Sequence, residues 1–153
     1  MAPQHPNVIS FERAINIFLK DLQALPEEAF TKSFGPATRT VADIVYEVNM
    51  VNDDIASVMQ GQKASDWPEG WVKAPADFNT KDIVIAAFSA SSANALAVAS
   101  GFSNEELEAP LQTEDGETTR GDRCRFMTIH LWYHSGQLNF IQTLLGDDAW
   151  HWA

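Results

Sequence analysis

Two histidines four residues apart, His130 and His134, stand in the run His130-Leu131-Trp132-Tyr133-His134-Ser135-Gly136-Gln137. On a helix, residues four apart are displaced by about 40° around the axis and roughly 6 Å along it. Imidazoles so placed can meet one divalent ion, each at a bond length of about 2 Å. Neutral imidazole suits zinc, nickel, copper or ferrous iron. The spacing alone leaves a second account open, in which each histidine is half-buried and bonded to a backbone carbonyl or a carboxylate. Gln137, three residues on, is placed to orient a ligand or water, or to bond a neighbouring helix. Gly136 is expected to permit close helix packing, and Trp132 and Tyr133 to serve as core or interface. Cys124 has no catalytic partner in sequence and reads as a small buried residue. His5 and His151, near the chain ends, read as surface residues.

The elements that would position such a pair are legible in the chain's punctuation. A first helix is expected from about Ser10, apolar at Phe11, Ala14, Ile15, Phe18, Leu19 and Leu22, stopping before Pro26. A second opens at the capping-box-like Thr40-Val41-Ala42-Asp43 and carries Ile44, Val45, Val48, Val51 and Ile55 to a left-handed cap at Gly61. Residues 62–79, with Trp67 and Trp71, read as a loop that packs by its aromatics. A third helix runs from near Thr80 to Ser100, dense in small residues, with Asn94 expected to hydrogen-bond across the core. Ser103 opens one short helical turn, and an acidic loop follows from Gln112 to Thr119. The fourth long helix runs from about Asp122 to Leu145 and carries the histidine pair. Nothing alternates with the period of two that a sheet requires. The expected fold is all-α, a four-helix bundle with long connecting loops, in one domain spanning residues 1–153.

Composition removes several function classes. The chain carries 45% hydrophobic and 20% charged residues, the balance of a globular protein. Its net charge of −11, with only ten Lys and Arg, repels polyanions, so neither nucleic acid nor an anionic membrane is expected as a partner. No apolar run approaches the roughly 18 residues that span a bilayer. The segment Met1 to Asn7 has neither the basic end nor the apolar stretch of a secretory signal. A single cysteine, Cys124, agrees with a reducing compartment, and the expected location is cytoplasmic. Trp150, His151 and Trp152 are expected to pack on the domain or on a second subunit.

The fourth long helix, from His130-x-x-x-His134-x-Gly136-Gln137 through Phe140 to Leu144-Leu145-Gly146, together with Thr40 to Glu47, resembles the DinB-like superfamily. That group includes bacillithiol- and mycothiol-dependent transferases. The resemblance covers most of the chain and implies a divalent metal held by three histidines, one on the second helix and two on the fourth. His130 and His134 match the latter two. The second-helix position falls on Glu47, a departure that implies either a two-histidine, one-carboxylate site or a site that has decayed. Glu47 shares a helix face with Ile44 and Val51, and an inward carboxylate without a partner is costly or takes up a proton. A metal would satisfy it, as would a metal-free ion pair with His130 or His134. Asn49 and Asn52 are alternative ligands nearby.

Two functional expectations follow. One is a metal-dependent enzyme, in which zinc, nickel or iron held by Glu47, His130 and His134 activates a thiol or water, giving thiol transfer to a small molecule or hydrolysis. The other is a non-catalytic, homodimeric, stress-associated bundle with a vestigial site.

Overall fold

The computed structural model describes residues 4–153; Met1 to Pro3, part of the segment read as lacking a secretory signal, lie outside the described residues. Four long helices form the bundle: α1 (Pro6–Ala24), α2 (Val41–Met59), α3 (Lys81–Ser100) and α5 (Arg120–Leu144). A short helix α4 (Asn104–Glu108) and a hairpin of β1 (Pro110–Thr113) and β2 (Gly116–Thr119) stand between α3 and α5. Each long helix packs on two others, α1 on α3 and α5, α2 on α3 and α5, which closes a four-membered ring.

Local chemistry explains most of the boundaries. Thr40 accepts from the Asp43 N–H while the Asp43 side chain accepts from the Thr40 N–H, a complete capping box. Ser103 and Glu106 repeat it on α4, and Thr80 and Thr119 cap α3 and α5. Past the end of α2, Gly61 takes φ 82°, the left-handed conformation that a side chain resists. The apolar faces then meet in one core, where the Phe18 and Phe88 rings stand 4.8 Å apart and neither is exposed. Truncating either ring to alanine would cost about 3–5 kcal/mol.

The chain departs from the sequence expectations at several places. α1 begins at Pro6 rather than Ser10, because His5 acts as its cap: Nδ1 accepts from the Asn7 N–H at 3.2 Å. His5 is therefore buried, 6% exposed, and its Nε2 bonds Glu108 across the molecule at 2.6 Å. The start of α5 presses on it, since a Cβ on Gly121 would stand 3.1 Å from His5 Cε1. The acidic loop is a hairpin pairing Pro110 with Thr119 and Thr113 with Gly116; strands this short hold too few residues for alternation to show. α3, with a mean hydropathy of 1.7 over 18 residues, is long and apolar enough to cross a bilayer. Its apolar residues are interrupted by Ser89, Ser91, Ser92 and Asn94 rather than forming an unbroken run, and it packs on α1 and α2 through Val84, Phe88, Ala95 and Ala99. Asn94 is exposed. The polar link across α2 and α3 comes instead from Ser91, which donates to Asn49 at 2.8 Å and accepts from Asn52 at 3.4 Å.

Candidate metal centre

α5 sets the histidines and α2 sets the carboxylate. His130 lies one helical turn before His134, and both imidazoles lean toward α2, where Glu47 sits two turns after the Thr40 cap. The His130 and His134 Nε2 atoms are 3.1 Å apart. Glu47 Oε1 lies 3.6 Å from the first and 3.5 Å from the second. These three donor atoms form a nearly equilateral triangle. Ligands held about 2 Å from one ion at tetrahedral angles stand about 3.3 Å apart, so the spacing suits a divalent cation.

Electrostatics favours the same conclusion. His134 is 1% exposed, and its Nδ1 lies 2.8 Å from the Gln137 carboxamide oxygen, an acceptor. Nδ1 therefore carries the proton, and the Nε2 lone pair points into the triangle. Burial is the largest influence lowering both imidazoles; for His130 the neighbouring His134 adds to it and the pKa falls to about 4. Both rings are neutral at pH 7. Two imidazole nitrogens and a carboxylate oxygen then converge with few protons among them, which a cation relieves. The donor set fits a divalent metal.

Arg39, just before the α2 cap, completes the surroundings. Its Nη2 donates to Glu47 Oε2 at 2.5 Å and to the Asp43 carbonyl at 3.1 Å. Its guanidinium lies 5.0 Å from the Trp71 ring centroid. Its Nε and Nη1 are shielded from water and have no hydrogen-bond partner. Sequence reading missed this residue. One signal was available: a cation beside a helix N-terminus opposes the helix dipole, and something local must hold it there.

Beside Arg39 and Gln137 opens a groove of about 510 Å³, walled by Phe34, Trp71, Tyr133, Phe140 and Leu144. The metal-spaced donors do not themselves line it; the residues that hold them do. Gly136 also lines it. A Cβ added there meets nothing within 4 Å, so Gly136 keeps space open rather than allowing close packing. Tyr133 is a groove wall, 56% exposed.

The remaining sequence candidates lie elsewhere. Asn49 and Asn52 are engaged with Ser91 on α3. Cys124 is buried, and that burial pushes its thiol up to about 11, far from a reactive thiolate. His151 is half-buried and bonds Asp147 at 2.8 Å. Trp152 packs on the domain, donating its indole N–H to Asp21 at 2.7 Å, while Trp150 remains 69% exposed.

The family model for the DinB superfamily matches residues 10–138. The chain belongs to the DinB superfamily. The crystal structure of a conserved protein from Enterococcus faecalis superposes with a TM-score of 0.71, covering 95% of this chain and 100% of that one. At 16% identity this likeness concerns the fold alone. No curated protein matches the sequence. Within this DinB-superfamily bundle, the α2 carboxylate and the α5 histidine pair form a three-residue cluster whose ligand atoms all lie within 4.8 Å.

Proposed function

We propose that the protein binds one divalent metal ion through Glu47, His130 and His134 and acts on a small molecule, by thiol transfer or hydrolysis. The observation that carries this reading is the convergence of three metal-competent atoms from two helices at nearly equal spacing. A divalent cation, when bound, eases proton loss from a thiol or water at an open coordination position. The protein's own contribution is to orient and to exclude water. Gln137 holds the His134 ring and its tautomer. Arg39 fixes the Glu47 carboxylate by a short charge-assisted bond. The groove beside them has room for a small organic molecule. A cytoplasmic location belongs to the same reading, supported by the single, buried Cys124.

A second reading also has an observation in its favour. Glu47 is already paired with Arg39, and Phe126, Ile129, Tyr133 and Phe140 leave an exposed apolar stripe along α5. Both features suit a non-catalytic homodimer with a vestigial metal site.

Metal content separates the two. Untagged protein is dialysed against trace zinc, nickel and iron, and bound metal is measured by mass spectrometry beside His130→Ala and Glu47→Ala. The proposed function requires about one ion per chain in the wild type and loss in both variants. Absence of metal under every loading condition would leave the homodimer reading standing.

A further inference from the structure

An acidic chain has built one wall without acids. The groove along α5 is apolar and aromatic, and Arg39 is the sole charged residue among those described as lining it. With a net charge of −11 spread over the chain, that lining sets the groove apart from the surface around it. The Arg39 side chain is 8% exposed. A guanidinium carries five N–H bonds, and those on Nη2 serve Glu47 and the Asp43 carbonyl. The N–H groups of Nε and Nη1 have no acceptor. Buried charged donors left unpaired are costly, and an anion that reaches them recovers that cost. Trp71 lies over the guanidinium face from an irregular loop, is 63% exposed, and lines the same groove as Arg39.

We propose that this groove binds an amphipathic organic carboxylate, with the carboxylate on the free N–H groups of Arg39 and the apolar body along Phe34, Tyr133, Phe140 and Leu144. The two requirements come from separate observations. The unpaired donors demand an anion, and the walls demand an apolar group of modest size, which a volume of about 510 Å³ admits. Inorganic phosphate satisfies only the first, and a second copy of the chain presenting an apolar face satisfies only the second. This ligand class deepens the metal reading, and it rests on that reading only for its catalytic meaning. Titrating metal-free and zinc-loaded protein separately keeps the two failures apart.

The test is calorimetric titration with three probes of one shape: phenylbutyrate, phenylbutyramide and phenylbutylamine. The expected result is one phenylbutyrate per chain, bound at least about tenfold more tightly than the amide, with no saturable binding of the amine. Arg39→Gln should erase the preference for the carboxylate. Because that variant also unpairs Glu47, Gly136→Met provides a second arm. Its side chain starts at a groove-lining position where a Cβ meets nothing within 4 Å, so it should abolish binding while helix content by circular dichroism stays unchanged. Equal affinity for the three probes, no binding of phenylbutyrate, or binding that survives Gly136→Met would overturn the proposal. So would a dimer in sedimentation velocity that Phe140→Glu dissociates and that phenylbutyrate leaves intact, since a second copy would then own the groove.

Discussion

His134 and Ser135 are adjacent on α5, about 100° apart around its axis, and they belong to two buried polar clusters that differ in one respect. Ser135 faces α1, where Asp21 accepts its hydroxyl on one oxygen and the Trp152 indole N–H at 2.7 Å on the other. Lys20 reinforces this closure by donating to the Trp152 carbonyl at 3.2 Å. That cluster is closed by the chain itself. His134 faces α2, where two imidazole nitrogens and a carboxylate oxygen converge while two nitrogens of Arg39 lack acceptors. The first cluster has a donor for each acceptor; in the second, three metal-competent atoms converge in one place and unpaired donors stand in another. A buried network that the chain closes holds a fold together, whereas one it leaves open keeps polar groups that water or a bound ligand can satisfy.

The contrast is sharpest in metal affinity. His134→Ala should weaken zinc binding by more than about 100-fold, because losing an outer partner alone costs 10–100-fold, whereas Ser135→Ala should leave it unchanged. Competition with a chromophoric chelator measures both, and equal losses would abolish the distinction between the clusters. In the opposite direction, Asp21→Ala should lower folding stability by about 2–3 kcal/mol in urea, since the buried Ser135 hydroxyl and Trp152 indole both lose their acceptor. Zinc affinity should not change in that variant; if it falls with stability, the two clusters form one unit.

A smaller effect is expected at Gln137. Gln137→Leu removes the acceptor of the His134 Nδ1 proton and should weaken zinc by about tenfold. An unchanged affinity would show that packing alone holds the ring. The smallest effect concerns pH. Burial, the largest influence on Asp21, raises its pKa above the ordinary 3.8 despite bonds from Ser135 and Trp152 that lower it. The folded state therefore holds that proton more tightly than the unfolded chain does. This contribution to stability is complete below the ordinary carboxylate pKa and is lost as pH rises through the raised one. The stability of wild type relative to Asp21→Asn should thus decline as pH rises above the ordinary carboxylate value of 3.8. A flat difference in paired urea melts would mean that Asp21 titrates normally.

Much of this molecule was legible in the residues alone, and the reason is range. Thr40, Thr80 and Ser103 mark helix starts because their hydroxyls bond N–H groups two or three residues away. The His130 and His134 pairing is legible for the same reason, since four residues on a helix place two side chains together whatever surrounds them. His5 shows the limit: its cap on α1 is local, yet its burial depends on Glu108 and Gly121 arriving from the far end of the chain.

By itself, then, the sequence marked the four long helices, the caps of α2, α3 and α4, the apolar faces that must meet, and the His130 and His134 pair, to which the family resemblance added Glu47 as a candidate. The tertiary structure alone decided that α2 lies beside α5, which brings Glu47 to the histidines, ties it to Arg39 and opens the groove at Gly136. Caps and periodicity act within a turn or two, while the order of helices around a bundle follows from how complete faces pack. No local pattern encodes a contact that exists only after those faces have chosen their partners.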